Sequence, residues 1–375
     1  MKKYTKCLFL TEHELDQSKG ISKKIISQVA AIENQGFKTW LLSYRIDNKK
    51  QVVLINNEVF FTLGRNYQKM LYNNGIFYSK LLSFVKLNGI DCMYIRYTQF
   101  VDLFFLKFLF SVHAIQCTIF MEIPTYPYDG EFRSNGVKNM LVLWKDKLLR
   151  PLFRFAVDRI VTFSVDKKIF GIPCVNISNA VDENSIPLAD KCQYDDSCVR
   201  MLGVANVNFW HGYDRLIKGI NEYYSQPRSI DVEFVIVGDG NITVSDYLHE
   251  LIKKYNLEKC VKMVGPKSGK ELDEYFAWAD IAIGSLGCHR KNIVETKTLK
   301  NVEYAMRGLP IIYSEKNNDF DNMDYVLKVS ANDNPVNVDD IISFMHNNNF
   351  SPSAIRQSVQ HLTWNNQMKN VFQNI

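Results

Sequence analysis

Short apolar runs bounded by glycine, proline and polar residues alternate with stretches whose apolar positions recur every three or four residues. The first run, 4–10, reads as a strand. After a polar loop, Ile25, Ile26, Val29, Ala30 and Ile32 repeat at helical spacing and stop before Gly36. A second strand covers 38–43. Strand, helix and strand in succession predict a parallel pair joined by a right-handed crossover. The pattern continues with a strand or hairpin at 52–62, a helix at 67–88, a strand at 92–96, an apolar helix at 102–111 and strands at 116–123, 158–162 and 174–177. Between them, 137–157 is predicted as one basic amphipathic helix. Residues 183–197 are polar, contain Pro187 and lack periodicity, so they read as a linker. Strands then recur at 199–204, 233–237, 261–264, 281–283 and 326–329, with helices at 245–255, 271–278 and 338–345 and a helical tail at 353–371.

One segment stands apart. Glu295-Thr-Lys-Thr-Leu-Lys-Asn-Val-Glu303 carries two carboxylates eight residues apart. Leu299, Val302 and Met306 keep a helical spacing, Gly308 ends it, and Pro310-Ile-Ile-Tyr313 reads as a buried strand. A helix starting near Thr298 leaves its first N–H groups free for phosphate oxygens. Lys297 and Lys300 add positive charge, and Glu303 lies one turn in, where it could accept from ribose or sugar hydroxyls. The plainer alternative is that Glu295 complements the helix dipole and Glu303 pairs with Arg307 on the surface.

Composition narrows the classes. A chain of 375 residues, 46% hydrophobic and 13% aromatic, has material for two cores. A net charge of +5 is too small to argue for nucleic acid, and it suits an anionic substrate or an anionic membrane surface. Eight scattered cysteines without paired ligand spacing favour reduced thiols in a cytoplasmic protein. Cys288 and His289 are adjacent, but no further ligand follows at metal spacing, so no zinc site is expected. No apolar run is long enough to span a bilayer, and the first apolar run is too short for a signal peptide.

Other loops fall where open α/β sheets bind ligands. Gly20 stands at the first loop–helix junction. Glu122-Ile-Pro-Thr-Tyr-Pro-Tyr-Asp-Gly-Glu131 follows a strand, and Glu122 and Asp129 are its candidates for acceptor contact. The alternative there is a proline-stiffened turn with exposed acids. Asn206, His211 and Arg215 follow the strand at 199–204; the last two, one turn apart, could face a diphosphate, or Asp214 could simply cap the helix. Gly238-Asp-Gly240 is no dinucleotide fingerprint, because Thr243 stands where the third glycine belongs. Gly265-Pro-Lys267-Ser-Gly269 closes the next strand. In 137–157, Lys138, Lys145, Lys147, Arg150 and Arg154 accompany Leu141, Leu143, Trp144, Leu148, Leu149, Leu152 and Phe153. Such a face suits anionic lipid or, equally, a core helix with solvated charges.

The E-x7-E spacing continued by Tyr304-Ala-Met-Arg-Gly-Leu-Pro310 resembles the donor-site helix of retaining nucleotide-sugar glycosyltransferases. These belong to the GT-B fold, in the broad glycosyltransferase family 4, of the bacterial capsule and surface polysaccharide type. Asn179-Ala-Val-Asp182 is similar to the run that closes their first domain, and Trp210-His-Gly-Tyr-Asp-Arg-Leu216 to a variant of their phosphate loop.

The resemblance implies an α/β fold of two Rossmann-like domains facing across a cleft: 1–185 on the acceptor side, 196–352 for the nucleotide-sugar, and 353–375 as a terminal helix crossing back to the first. It implies sugar transfer from a UDP- or GDP-sugar to a glycan or polyprenyl-linked acceptor, without a metal or other cofactor. Membrane contact through 137–157 at the inner face would bring a lipid-linked acceptor within reach. Glu303 would hold ribose and Glu295 the sugar. Gly20, Asn206, His211, Arg215, Gly238, Gly265, Lys267, Thr298, Leu299 and Lys300 would form the rest of the donor site. Arginine and lysine are common in relatives where Asn206 and His211 stand, and a histidine is common near Glu122. Two other readings share the fold: a nucleotide-sugar 2-epimerase and a non-catalytic nucleotide-sugar-binding subunit.

Overall fold

A computed structural model describes residues 5–16, 20–47, 50–63, 67–98, 101–129, 137–189 and 197–373, with the backbone alone at 63, 67–74 and 137–139. The chain forms two compact units, Met1–Ser178 with Trp364–Ile375, and Asn179–Thr363.

The first unit is built on one mixed sheet. Its parallel centre holds β2 (Lys38–Asp47), β1 (Lys6–Glu14), β5 (Cys92–Arg96), β6 (Thr118–Ile123), β7 (Arg159–Thr162) and β9 (Ile172–Asn176), in that spatial order. Every residue of β5 and β6 is buried, as expected for strands covered on both faces. Strands β3 (Lys50–Ile55) and β4 (Glu58–Leu63) extend one edge as an antiparallel hairpin. Its turn places Asn56 and Asn57 at φ 49° and 68°, the left-handed pair that a tight two-residue hairpin needs. Strand β8 (Lys168–Ile169) closes the other edge; two residues carry too little pattern to be foreseen.

Helices α1 (Gly20–Asn34), α2 (Tyr67–Asn88) and α3 (Leu103–Ala114, capped by Asp102) follow the expected spacing. The predicted helix at 137–157 is instead α4 (Val137–Leu149) followed by a 3-10 turn, Arg150–Phe155. Pro151 ends it, because its ring cannot donate to the preceding turn. The side chain of Lys138 and the residue Glu131 lie outside the described residues, as do residues 190–196 of the expected linker.

The second unit has an all-parallel sheet in the order β12 (Val261–Met263), β11 (Asp231–Val237), β10 (Cys198–Val204), β13 (Ile281–Ile283), β14 (Ile311–Tyr313) and β15 (Val326–Lys328). The order runs outward from β10 on one side and from β13 on the other. The reversal between those two is the place where such sheets receive ligands. Helices α5 (Tyr213–Tyr223), α6 (Ile242–Lys254), α7 (Gly269–Trp278), α8 (Leu299–Met306) and α9 (Val338–His346) complete the layers.

The start of the expected linker is not free. Ile186 and Ala189 join the second core, and Arg356 donates to the carbonyls of Glu183, Ile186 and Met306 at 2.8–2.9 Å. The predicted tail helix divides into α10 (Pro352–Ser358), which stays with the second unit, and α11 (Trp364–Gln373), which belongs to the first. Helix α11 packs on α1, with Phe372 against Phe37 and Phe120.

Candidate active site

Five loops meet at the carboxyl ends of the second unit's strands. The segment after β10 is laced to the turn after β11: Val207 N–H donates to the Asp239 carbonyl at 2.6 Å, and Asn241 N–H to the Val207 carbonyl at 3.0 Å. Gly238 N–H reaches the Gly265 carbonyl at 2.9 Å, Leu286 N–H the His211 carbonyl at 2.9 Å, and Ser314 N–H the Ser285 carbonyl at 3.0 Å. Gly238 has φ +131°, and a Cβ there would sit 1.8 Å from the Ala205 carbonyl oxygen. A Cβ at Gly240 would sit 2.1 Å from the Val207 carbonyl oxygen. These glycines are therefore required by loop packing in the protein itself. Asn206 is exposed on this segment, and Gly265, at φ +71°, faces open space.

Helix α8 is anchored beneath the strand reversal. The buried Tyr304 hydroxyl accepts from Val204 N–H at 2.9 Å and donates to the Val204 carbonyl at 3.1 Å. Thr298 occupies the N-cap position, but its hydroxyl makes no cap bond and has no protein partner. The positive end of the helix is thus left without a side-chain cap. Leu299 and Lys300 form its first turn.

Glu295 lies on a short bridge to Lys316; Asn318 Nδ2 donates to it at 2.5 Å, and a third of its side chain remains exposed. Glu303, also about a third exposed, is 3.5 Å from Arg307, whose closer partner is Asp273 at 2.7 Å. Asn179 Nδ2 donates to the Lys297 carbonyl at 2.5 Å, which ties the Asn-Ala-Val-Asp run to this loop.

The cations divide sharply. Arg215 is buried, and its guanidinium donates to the carbonyls of Asn334 at 2.8 Å, Ser330 at 2.9 Å and Leu286, and to the Asn332 side chain. It braces the loops from inside and does not present its face to a ligand. Arg290 is held by Asp214 at 2.8 and 3.0 Å and by Asp333 at 2.6 Å. Lys267 pairs with Glu271, and Lys297 with Asp319 at 3.1 Å.

His211 Nδ1 accepts from Asn208 N–H at 2.9 Å, which places the ring proton on Nε2. Burial first, and then the charge of Lys300, lower its pKa to about 2, so the ring is a neutral donor. Lys300 differs from the other cations: its Nζ is buried with no hydrogen-bond partner. Burial lowers its pKa to about 8, partly offset by the charges of Glu315 and Cys288.

Glu315 carries no motif that would mark it in the sequence. It is 2% exposed, and neither carboxylate oxygen makes a hydrogen bond to the protein. The backbone amides of Ser314 and Glu315 and the Cys288 thiol lie beside it without good bonding geometry. Burial raises its pKa. Its position, two residues past a parallel strand and next to the E-x7-E segment, was the available signal.

The remaining candidates belong to the first unit. Gly20 is the first residue of α1, with open space where a side chain would be. Glu122 is fully buried and enclosed by donors: Gln28 Nε2 and Tyr94 hydroxyl at 2.7 Å each, and the Arg96 guanidinium. Burial opposes its ionisation, but Arg96, Lys24 and these hydrogen bonds prevail and hold its pKa below the usual value. It offers no oxygen to solvent. Asp129 is held by Arg150 at 2.8 Å and Lys147 at 2.9 Å. Its neighbour Tyr128 donates to Asp146 at 2.8 Å. The loop is latched to α4.

Residues 198–321 match the family model of the glycosyl transferases group 1. The matched stretch lies within the second unit. A glycosyltransferase from Rickettsia africae superposes with a TM-score of 0.66 at 12% identity, over 99% of this chain and 98% of that one. The lipopolysaccharide outer core galactosyltransferase WaaB gives 0.63 at 12% identity, over 99% and 100%. HepE from Anabaena, in complex with UDP, gives 0.61 at 12% identity, over the whole of both chains. At such identity these likenesses establish the fold, and the fold is GT-B. No curated protein matches in sequence.

Proposed function

We propose that the protein transfers a sugar, with retention of anomeric configuration, from a UDP- or GDP-sugar to a glycan or polyprenyl-linked acceptor in surface polysaccharide synthesis. The carrying observation is the uncapped start of α8 at the strand reversal, with Glu295 and Glu303 partly exposed on either side of it. In the transfer, the bond between the anomeric carbon and the diphosphate oxygen breaks and its electron pair leaves with the diphosphate. A bond forms to the acceptor oxygen, whose proton passes to a diphosphate oxygen. Helix N–H groups and His211 Nε2–H stabilise the charge that develops. Glu303 holds ribose, and Glu295 holds the sugar. HepE has been seen with both UDP and UDP-glucose, which favours uridine here.

The acceptor side rests on the first unit. Met140, Leu141, Trp144, Leu148 and Phe155 are exposed on α4 and the turn after it. Asp146, the one acid in 137–155, is fully buried and bonded to Tyr97 and Tyr128. The exposed face is thus apolar and basic, which suits anionic lipid at the inner face of a membrane. No helix among the described residues is long and apolar enough to cross one.

The test is incubation with a panel of UDP- and GDP-sugars. Transfer or slow hydrolysis of one donor is expected. Release of a free epimer instead would establish the 2-epimerase, and binding without turnover a non-catalytic subunit.

A further inference from the structure

Lys300 and Glu315 form an unusual couple. Both functional groups are buried, and neither has a hydrogen-bond partner in the protein. They are too far apart to count as an ion pair, yet each feels the other's charge. Buried charges ordinarily satisfy one another or are satisfied by neighbouring groups. Further unpartnered polar atoms stand on the same turn of α8: Thr298 Oγ1 and both amide atoms of Asn301. Asn301 Oδ1 would lie 2.9 Å from a Cβ at Gly284, so the glycine keeps that side chain's place.

The chemistry of this set selects its ligand. A phosphate accepts only, and would accept from Lys300 while facing the Glu315 carboxylate. A group placed between an ammonium and a carboxylate must accept from one and donate to the other. A hydroxyl does both. A mixture of unpartnered donors and acceptors is what a polyol requires, whereas an anion requires donors alone.

We propose that Lys300 and Glu315 together hold a hydroxyl of the transferred sugar, which makes Glu315 a specificity-determining residue. This rests on the donor site lying at the start of α8. It moves Lys300 from the diphosphate to the sugar, and leaves the diphosphate to the helix N–H groups and His211. A trapped water is the other source of such a hydroxyl.

The experiment compares Lys300→Met, Glu315→Gln and the double variant by titration calorimetry with UDP and UDP-glucose, and with GDP and GDP-mannose as the second pair. Melting temperatures accompany each titration; the double variant removes both charges and guards against loss of fold from an unpaired one. Each single variant is expected to bind the nucleotide-sugar about tenfold more weakly while affinity for the bare nucleotide changes less than about twofold. The double variant should lose little more than either single one, because the two groups act on one hydroxyl. Equal losses for nucleotide and nucleotide-sugar would assign Lys300 to the diphosphate and overturn the inference while sparing the donor site. Unchanged binding of both would assign the couple to a trapped water, and would overturn the inference equally. If the wild type binds neither pair, the donor site itself falls, and the inference with it.

Discussion

Glu122 shows how a residue's surroundings decide its work. A carboxylate at a strand end invites a role at the acceptor, yet Arg96, Tyr94 and Gln28 enclose it. Removing its charge leaves Arg96 buried without its partner. Glu122→Gln should therefore cost about 3–5 kcal/mol in chemical denaturation; an inactive variant of unchanged stability would return Glu122 to the chemistry. Lys24 lies in the same cluster, and burial lowers its pKa to about 7. The unfolded chain then holds more protons than the folded one between about pH 7 and the ordinary lysine value, so this residue makes stability rise with pH across that window. Lys24→Met should flatten the rise, which a denaturation series at several pH values in both proteins would reveal. Neither feature was legible in the sequence, because a one-dimensional pattern gives the residue at a strand end but not its three neighbours from other elements. Glu303 is the contrary case: its spacing from Glu295 was visible, and it stands partly exposed on α8. Glu303→Ala should weaken nucleotide binding by at least about tenfold while the melting temperature holds.

At the scale of elements, most of the fold could be read from apolar spacing. Helix α2, β5 and β13 fall where the pattern put them, because each is a run of fitting length bounded by glycine or polar residues. Failures came where a single residue overrode the period, as Pro151 does just past the end of α4. The Gly-x-Gly after β11 was visible as a turn, but its reason was not: only the structure shows the Ala205 and Val207 carbonyls against Gly238 and Gly240. Gly238→Ala should destabilise the protein by at least about 2 kcal/mol, measured by denaturation, even before ligand binding is tested. Helix α4 carries the membrane reading. Trp144 is 70% exposed, so its replacement should leave the core intact. Trp144→Glu should reduce partitioning onto anionic vesicles about tenfold, as flotation assays can measure.

For the whole molecule, the two sheets were foreseen as a pair of βαβ series, and their strand orders place a ligand-receiving reversal in each. The return of the last residues to the first unit was expected from the family resemblance, whereas apolar spacing alone did not show it. Helix α11 is an integral part of the first unit, with Phe372 wedged against Phe37 and Phe120, and Ser178 N–H donates to Gln367 at 2.9 Å. During synthesis the ribosome delivers the complete second unit before it supplies this missing piece of the first. The amino-terminal half must therefore wait, with part of its α1 surface bare, until Trp364 and the residues of α11 have been made. A stop codon just before Trp364 would leave the later-made unit whole and cripple the earlier one.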